Sequence, residues 1–142
     1  VEKGFRCEIA WSDAEVVEVE VCASNGAFAG RTRLYVSIGE LAGAATLLEG
    51  FPAQPDDRRM LILGAFGPEY AGGAVSLAFA LADDAKHARV QVVIEADGEV
   101  GGITETVTLA LPFEAASLQR FVSELRRLEE EKSGGAFLPA AP

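Results

Sequence analysis

The chain is short of cysteine, histidine and positive charge, and each shortage narrows what it can do. Two cysteines, Cys7 and Cys22, stand among 142 residues, too few for a disulfide-stapled framework. A single histidine, His87, leaves a metal site or an acid–base site without its commonest residue in any number. Twelve Lys and Arg against twenty-two Asp and Glu give a formal net charge of −10. Nucleic-acid affinity is built from Lys and Arg, so this balance argues against a nucleic-acid partner and equally against an anionic membrane. No apolar run approaches the ~18 residues of a spanning helix, and the start does not read as a signal peptide. The first residue is Val1 rather than Met, which leaves room for an upstream segment.

What is present is core-forming material. Apolar residues make up 49% and charged residues 24%, enough at this length for one domain with its own core and no metal. The stretch from Ile103 to Glu131 organises the rest. Val107, Leu109, Leu111 and Phe113 alternate with small or polar residues, the two-residue period of a half-buried strand. After Pro112 the period lengthens, and Leu118, Phe121, Val122, Leu125 and Leu128 form the stripe of an amphipathic helix.

Earlier segments alternate in the same way. Phe5 to Trp11 and Val16 to Ala23 read as a hairpin across Ser12-Asp13-Ala14, and Asn25-Gly26 turns the chain into a third strand, Phe28 to Val36. Ser37-Ile38-Gly39-Glu40 has the form of a capping box before a short helix to Glu49, which Gly39 and Gly43 weaken. Met60 to Phe66 reads as a buried strand; Val75 to Leu81 and His87 to Glu95 follow, joined across Asp83-Asp84-Ala85-Lys86. The expected fold class is α+β: one mainly antiparallel twisted sheet of about seven strands, with helices Glu40–Glu49 and Ala115–Glu131 on one face. Residues 1–133 form a single domain and 134–142 a flexible tail; no internal repeat is evident. The expected core contains Val75, Leu77, Phe79, Val90, Val92, Val107, Leu109, Leu118, Phe121 and Leu125.

Chemistry is sparse. Asp83, Asp84 and His87 form the one cluster resembling a metal site, in a turn where Asp is expected anyway. Cys7 shares parity with Phe5, Ile9 and Trp11, which makes it a core thiol rather than a nucleophile, and Cys22 lies on the opposite face of its strand. Gly64-Ala65-Phe66-Gly67 and Gly72-Gly73 lack the Lys and the following helix of a phosphate loop. No catalytic residue, metal or cofactor is expected. The distinctive surface feature is the acidic first hairpin with Glu8, Glu15, Glu18 and Glu20, near which Trp11 or Tyr35 could serve as an aromatic anchor.

Gly73-Ala74-Val75-Ser76-Leu77-Ala78-Phe79, Lys86-His87-Ala88-Arg89-Val90-Gln91-Val92 and Val107-Thr108-Leu109-Ala110-Leu111-Pro112-Phe113, followed by the helix from Leu118, have a recognisable layout. With the Glu40-Leu41 helix they resemble a group of small bacterial proteins, some similar to immunity proteins of contact-dependent toxin systems. Lys86 stands where that pattern has Gly. The resemblance runs from about Val17 to Leu128 and implies a non-catalytic, partner-binding protein, with no functional residue to carry over. The expectation is therefore a cytoplasmic protein-binding domain, immunity-like, neutralising a basic protein partner. Self-association through sheet edges is the second expectation, and a small hydrolase using Cys7 or His87 the third.

Overall fold

Alternating apolar residues do become antiparallel strands, but they divide into two sheets. The computed structural model describes residues 2–82 and 87–142. The elements are β1 (Gly4–Ser12), β2 (Val16–Ser24), β3 (Ala29–Ser37), α1 (Glu40–Leu48), β4 (Arg58–Gly64), β5 (Ala74–Leu81), β6 (His87–Glu95), β7 (Thr106–Glu114), α2 (Ala115–Glu131) and β8 (Gly135–Pro139). The first sheet has the order β3-β2-β1-β8 and the second β4-β5-β6-β7. The expected single sheet of about seven strands is thus two sheets of four, because β3 crosses the second sheet instead of pairing with it.

That crossing can be followed residue by residue. Gly30 lies against Val107 and Ile94, Thr32 against Gly73, which also abuts the Glu95 carbonyl, and Leu34 against Gly64. So β3 runs over the ends of β7, β6, β5 and β4 in turn. The Gly73 N–H donates to the Arg33 carbonyl at 2.7 Å, tying the crossing together. A side chain at Gly30 or Gly73 would collide with Val107 or Thr32, so bare backbone is required where the sheets meet. β7 crosses the first sheet reciprocally, its Ala110 and Pro112 carbonyls accepting from Asn25 Nδ2 at 3.2 Å and from the Ala141 N–H at 2.7 Å.

The reciprocity reflects a repeat that the sequence reading missed. Three strands, a helix and a strand occur twice, as β1-β2-β3-α1-β4 and β5-β6-β7-α2-β8. Each unit gives its last strand to the other: β4 pairs with β5 and β8 with β1. Buried positions repeat at the same spacing, Leu34, Val36, Leu41, Ala44, Ala45 and Leu48 corresponding to Leu111, Phe113, Leu118, Phe121, Val122 and Leu125. One hydrophobic cluster joins both sheets and both helices. It includes every expected core residue except Val107, which is half-buried beside it.

Three local expectations change. Residues expected in a flexible tail form β8, paired with β1 and burying Ala136 and Leu138. Met60 to Phe66 was expected to be a buried strand, but β4 is an edge strand in which Leu61 and Leu63 are buried and Met60 and Ile62 exposed. A bulge between Ile9 and Trp11 breaks the parity of β1, so Trp11 leaves the apolar set and stands opposite Glu18 on the outer face. The Asp83–Lys86 turn lies outside the described residues.

α1 is intrinsically weak and α2 holds both its ends. Half of the capping box forms: the Ser37 N–H donates to Glu40 Oε1 at 3.1 Å, but the N-cap residue is Gly39 and no side chain caps it. Instead Glu129 of α2 accepts from the Ala42 N–H at 3.2 Å and bonds Lys132 Nζ at 2.7 Å. At the other end Gln119 bonds both the Gly50 N–H and the Phe51 carbonyl, at 3.2 and 3.1 Å. The helices therefore run antiparallel. Arg59 adds to the exit of α1, donating to the Leu47 and Glu49 carbonyls while Asp57 holds its guanidinium at 2.8 Å.

Partial burial pushes the Glu129 carboxyl up, and Lys132 with the α1 amides more than reverses this, leaving it below its ordinary 4.5. A lowered folded-state value means that the stabilisation is present above 4.5 and is lost as pH falls through the folded value. Glu129→Ala should cost about 1 kcal/mol at neutral pH, the usual worth of a helix cap. In urea titrations the gap between variant and parent should close as pH falls through the acid range; an unchanged gap would assign it to packing.

Candidate functional site

The residues singled out in the sequence converge on the outer face of the first sheet, with one unforeseen complication. Register places Phe137, Arg6, Cys22 and Arg31 in one row across the strands. The next row holds Gly135, Glu8, Glu20 and Arg33, and the third Trp11, Glu18 and Tyr35. Glu15 lies beyond them in the β1–β2 turn, exposed to solvent, where Asp13 Oδ1 accepts from the Glu15 and Val16 N–H groups at 2.8 and 2.9 Å. Those two bonds hold the Asp13 carboxyl below its ordinary value.

Arginines interleave with the acids. Arg33 lies 3.5 Å from Glu18 and 3.4 Å from Glu20, and Arg6 lies 3.6 Å from Glu8 and 3.1 Å from Glu2. The hairpin is therefore not uniformly acidic. Its positive charge collects toward the Cys22 row, while the end carrying Asp13, Glu15 and Glu18 stays negative. That end also carries the aromatics, with Trp11 52% and Tyr35 41% exposed. Glu18 accepts from the Tyr35 phenol and pushes its pKa up. Tyr35 is seated beneath Gly72, on a loop that also exposes Tyr70. Ile38, just past β3, adds another exposed apolar side chain.

Elsewhere the chemistry is thin. Cys7 is fully buried, and burial pushes its thiol far above the ordinary 9.0, with Cys22 adding a smaller push. A thiol so held is protonated and sealed from substrate. Both cysteines are free, Cys7 toward the core and Cys22 toward the outer face. His87 opens β6 opposite Glu114. Asp83 and Asp84, its expected companions, lie outside the described residues, among which no group of three His, Cys, Asp or Glu is placed to hold a metal. The glycines before β5 are not an open anion cradle, since the Gly67 N–H donates to Glu95 Oε2 at 2.8 Å and Gly73 to Arg33.

A shallow cleft of about 330 Å³ lies on the outer face of the second sheet, over Ala78 and Ala80 between Met60 and Gln91, with Arg58 and Arg89 at one end. Among the described residues no carboxylate, thiol or hydroxyl lines it. No helix among the described residues is long and apolar enough to cross a membrane. No family model, curated protein or solved structure matches this chain. The likeness to immunity-type proteins thus has no matching family behind it. Alternation in β2 and β3 points Glu18, Glu20 and Tyr35 outward; the register that interleaves Arg6 and Arg33 is a property of the paired strands.

Proposed function

We propose that this is a non-catalytic protein-binding domain that docks a basic protein partner on the acidic, aromatic end of its first sheet, in the manner of an immunity protein. One observation carries the reading: Trp11 and Tyr35 stand exposed on either side of Glu18, held there by a bulge and a paired strand rather than by a loop. Large aromatics on a rigid sheet contribute contact area at little ordering cost, and such residues dominate binding energy at interfaces. Glu15, Glu18 and Asp13 add a negative rim, and the chain as a whole carries a net charge of −10, which favours encounter with a cationic surface. Burial of Cys7 counts against the part of the hydrolase reading that uses this thiol as its nucleophile.

The test is capture of a partner from the native cell, followed by binding kinetics on two variants. Trp11→Ala with Tyr35→Ala should slow no encounter but raise the dissociation rate, weakening binding about 30-fold for a loss of about 2 kcal/mol at one anchor. Glu15→Lys with Glu18→Lys should instead lower the association rate and flatten its salt dependence. A captured partner indifferent to both pairs binds elsewhere, and the proposal fails.

A further inference from the structure

Each sheet has two edges, and three of the four make at least one hydrogen bond with another part of the chain. The β3 carbonyl at Arg33 accepts from Gly73. The β7 carbonyls at Ala110 and Pro112 accept from Asn25 and Ala141, and Pro112 has no N–H to satisfy. Along β8, the Phe137 N–H donates to Glu124 of α2 at 3.0 Å. β4 is the counterpart of β8 in the other unit, and α1 is the counterpart of α2. But α1 has 9 residues where α2 has 17, and among the described residues its hydrogen bonds with β4 come from Arg59, which reaches the carbonyls at its end. Beyond the Arg58 N–H, which the Asp57 carboxylate accepts, no group among the described residues hydrogen-bonds the outer edge of β4.

Apart from the exposed Arg58 at its start, β4 carries none of the devices that blunt an open edge. It has no Pro, no Lys and no bulge between Arg58 and Gly64, and Arg59 is drawn back onto Asp57. Its solvent-facing side chains are Met60 and Ile62, 54% and 53% exposed. Behind them the outer face continues uncharged, Met60 beside Ala78 and Gln91, Ile62 beside Ser76 and Val93.

We infer that β4 pairs antiparallel with β4 of a second copy of this chain, joining two four-stranded sheets into one of eight. A two-fold axis normal to the sheet keeps outer faces on the same side, and centring it on Leu61 uses the whole strand from Arg58 to Gly64. Met60 then faces Ile62 of the other copy, twice, and Arg58 comes beside Gly64 of the other copy, next to its following loop. Charge agrees with this occupant. Arg58 is exposed at the first position of β4, and antiparallel pairing about Leu61 puts the two Arg58 side chains at opposite ends of the joined strands, with the exposed Met60 and Ile62 of each copy between them.

The interface is distinct from the Trp11 end of the first sheet, so the two readings fail separately. Sedimentation equilibrium of the full chain should give twice the 14.9 kDa of one chain, dissociating on dilution. Met60→Lys with Ile62→Lys should give a monomer with an unchanged far-UV spectrum, since both side chains already face water. Independently of any substitution, β4 amides that point away from β5 should exchange hydrogen more slowly as protein concentration rises. A parent monomeric at every concentration, a double-lysine variant still dimeric, or concentration-independent β4 exchange would each overturn the inference, the first leaving the edge for an extended segment of another protein.

Discussion

Ending the chain at Gly134 should abolish cooperative folding. The deletion removes a strand of five residues that the first sheet uses as its outer wall. Leu138 and Ala136 leave the core, Leu138 2% and Ala136 0% exposed in the intact fold. Truncating one such leucine to alanine alone costs about 2–5 kcal/mol. The same cut exposes the β1 edge from Gly4 to Glu8, which β8 covers in full register. It also strips α2 of the Phe137 contact through Glu124 and takes from Arg6 the ring it covers at 4.6 Å. Against the 5–15 kcal/mol total typical of a domain, these losses approach everything available. Circular dichroism should show no sharp thermal transition, and size exclusion should show association through the bared edge. A truncated chain that melts cooperatively within a few degrees of the parent would make β8 an accessory rather than a wall.

Why that strand escaped the sequence reading is a matter of local signals competing with tertiary ones. Gly134, Gly135, Pro139 and Pro142 are breakers, and between Gly135 and Pro139 stand three consecutive apolar residues, Ala136, Phe137 and Leu138, with no alternation. So short a run does not distinguish a strand from a tail; the β1 edge supplies what the segment lacks. The α+β class and both helices were legible because their periods are sustained over many residues, from Leu118 to Leu128 above all. The division into two sheets was not. Alternation says which face of a strand is apolar and is silent about which strand lies beside it, so it does not reveal that Gly30, Gly64 and Gly73 set β3 across the second sheet.

The repeat was legible only as spacing. Leu41, Ala44, Ala45 and Leu48 match Leu118, Phe121, Val122 and Leu125 in interval, but Ala stands where Phe and Val stand, and residue identity hides the correspondence. The candidate site was half legible in the same sense. Parity placed Glu18, Glu20 and Tyr35 outward; the bulge that also turns Trp11 outward leaves no mark in a single sequence. Cross-strand register, which sets Arg33 against Glu18 and Glu20, follows from the hairpin and not from composition.

The difference between the helices also locates the most costly single substitution. α2 carries the bulk at its buried positions and α1 the small residues, so the core depends on α2 for volume. Phe121 is 1% exposed and meets the Phe5 ring edge-on, with centroids 6.1 Å apart and planes at 70°. It joins the stripe of α2 to β1, in the other half of the repeat. Phe121→Ala should cost about 3–5 kcal/mol, part lost transfer free energy and part the cavity left among residues that cannot collapse into it. For a chain of this length that corresponds to a drop in melting temperature of about 10–20 °C. Phe5→Ala should cost a similar amount, and the two should not add. An edge-on pair contributes about 0.5–1.5 kcal/mol beyond burial, and both substitutions open the same cavity, so the double variant should fall short of the sum by at least that coupling. Urea titrations of the four proteins give the cycle directly. Additive losses would mean that the two rings are held by separate parts of the core, and that α2 and β1 are joined through other side chains.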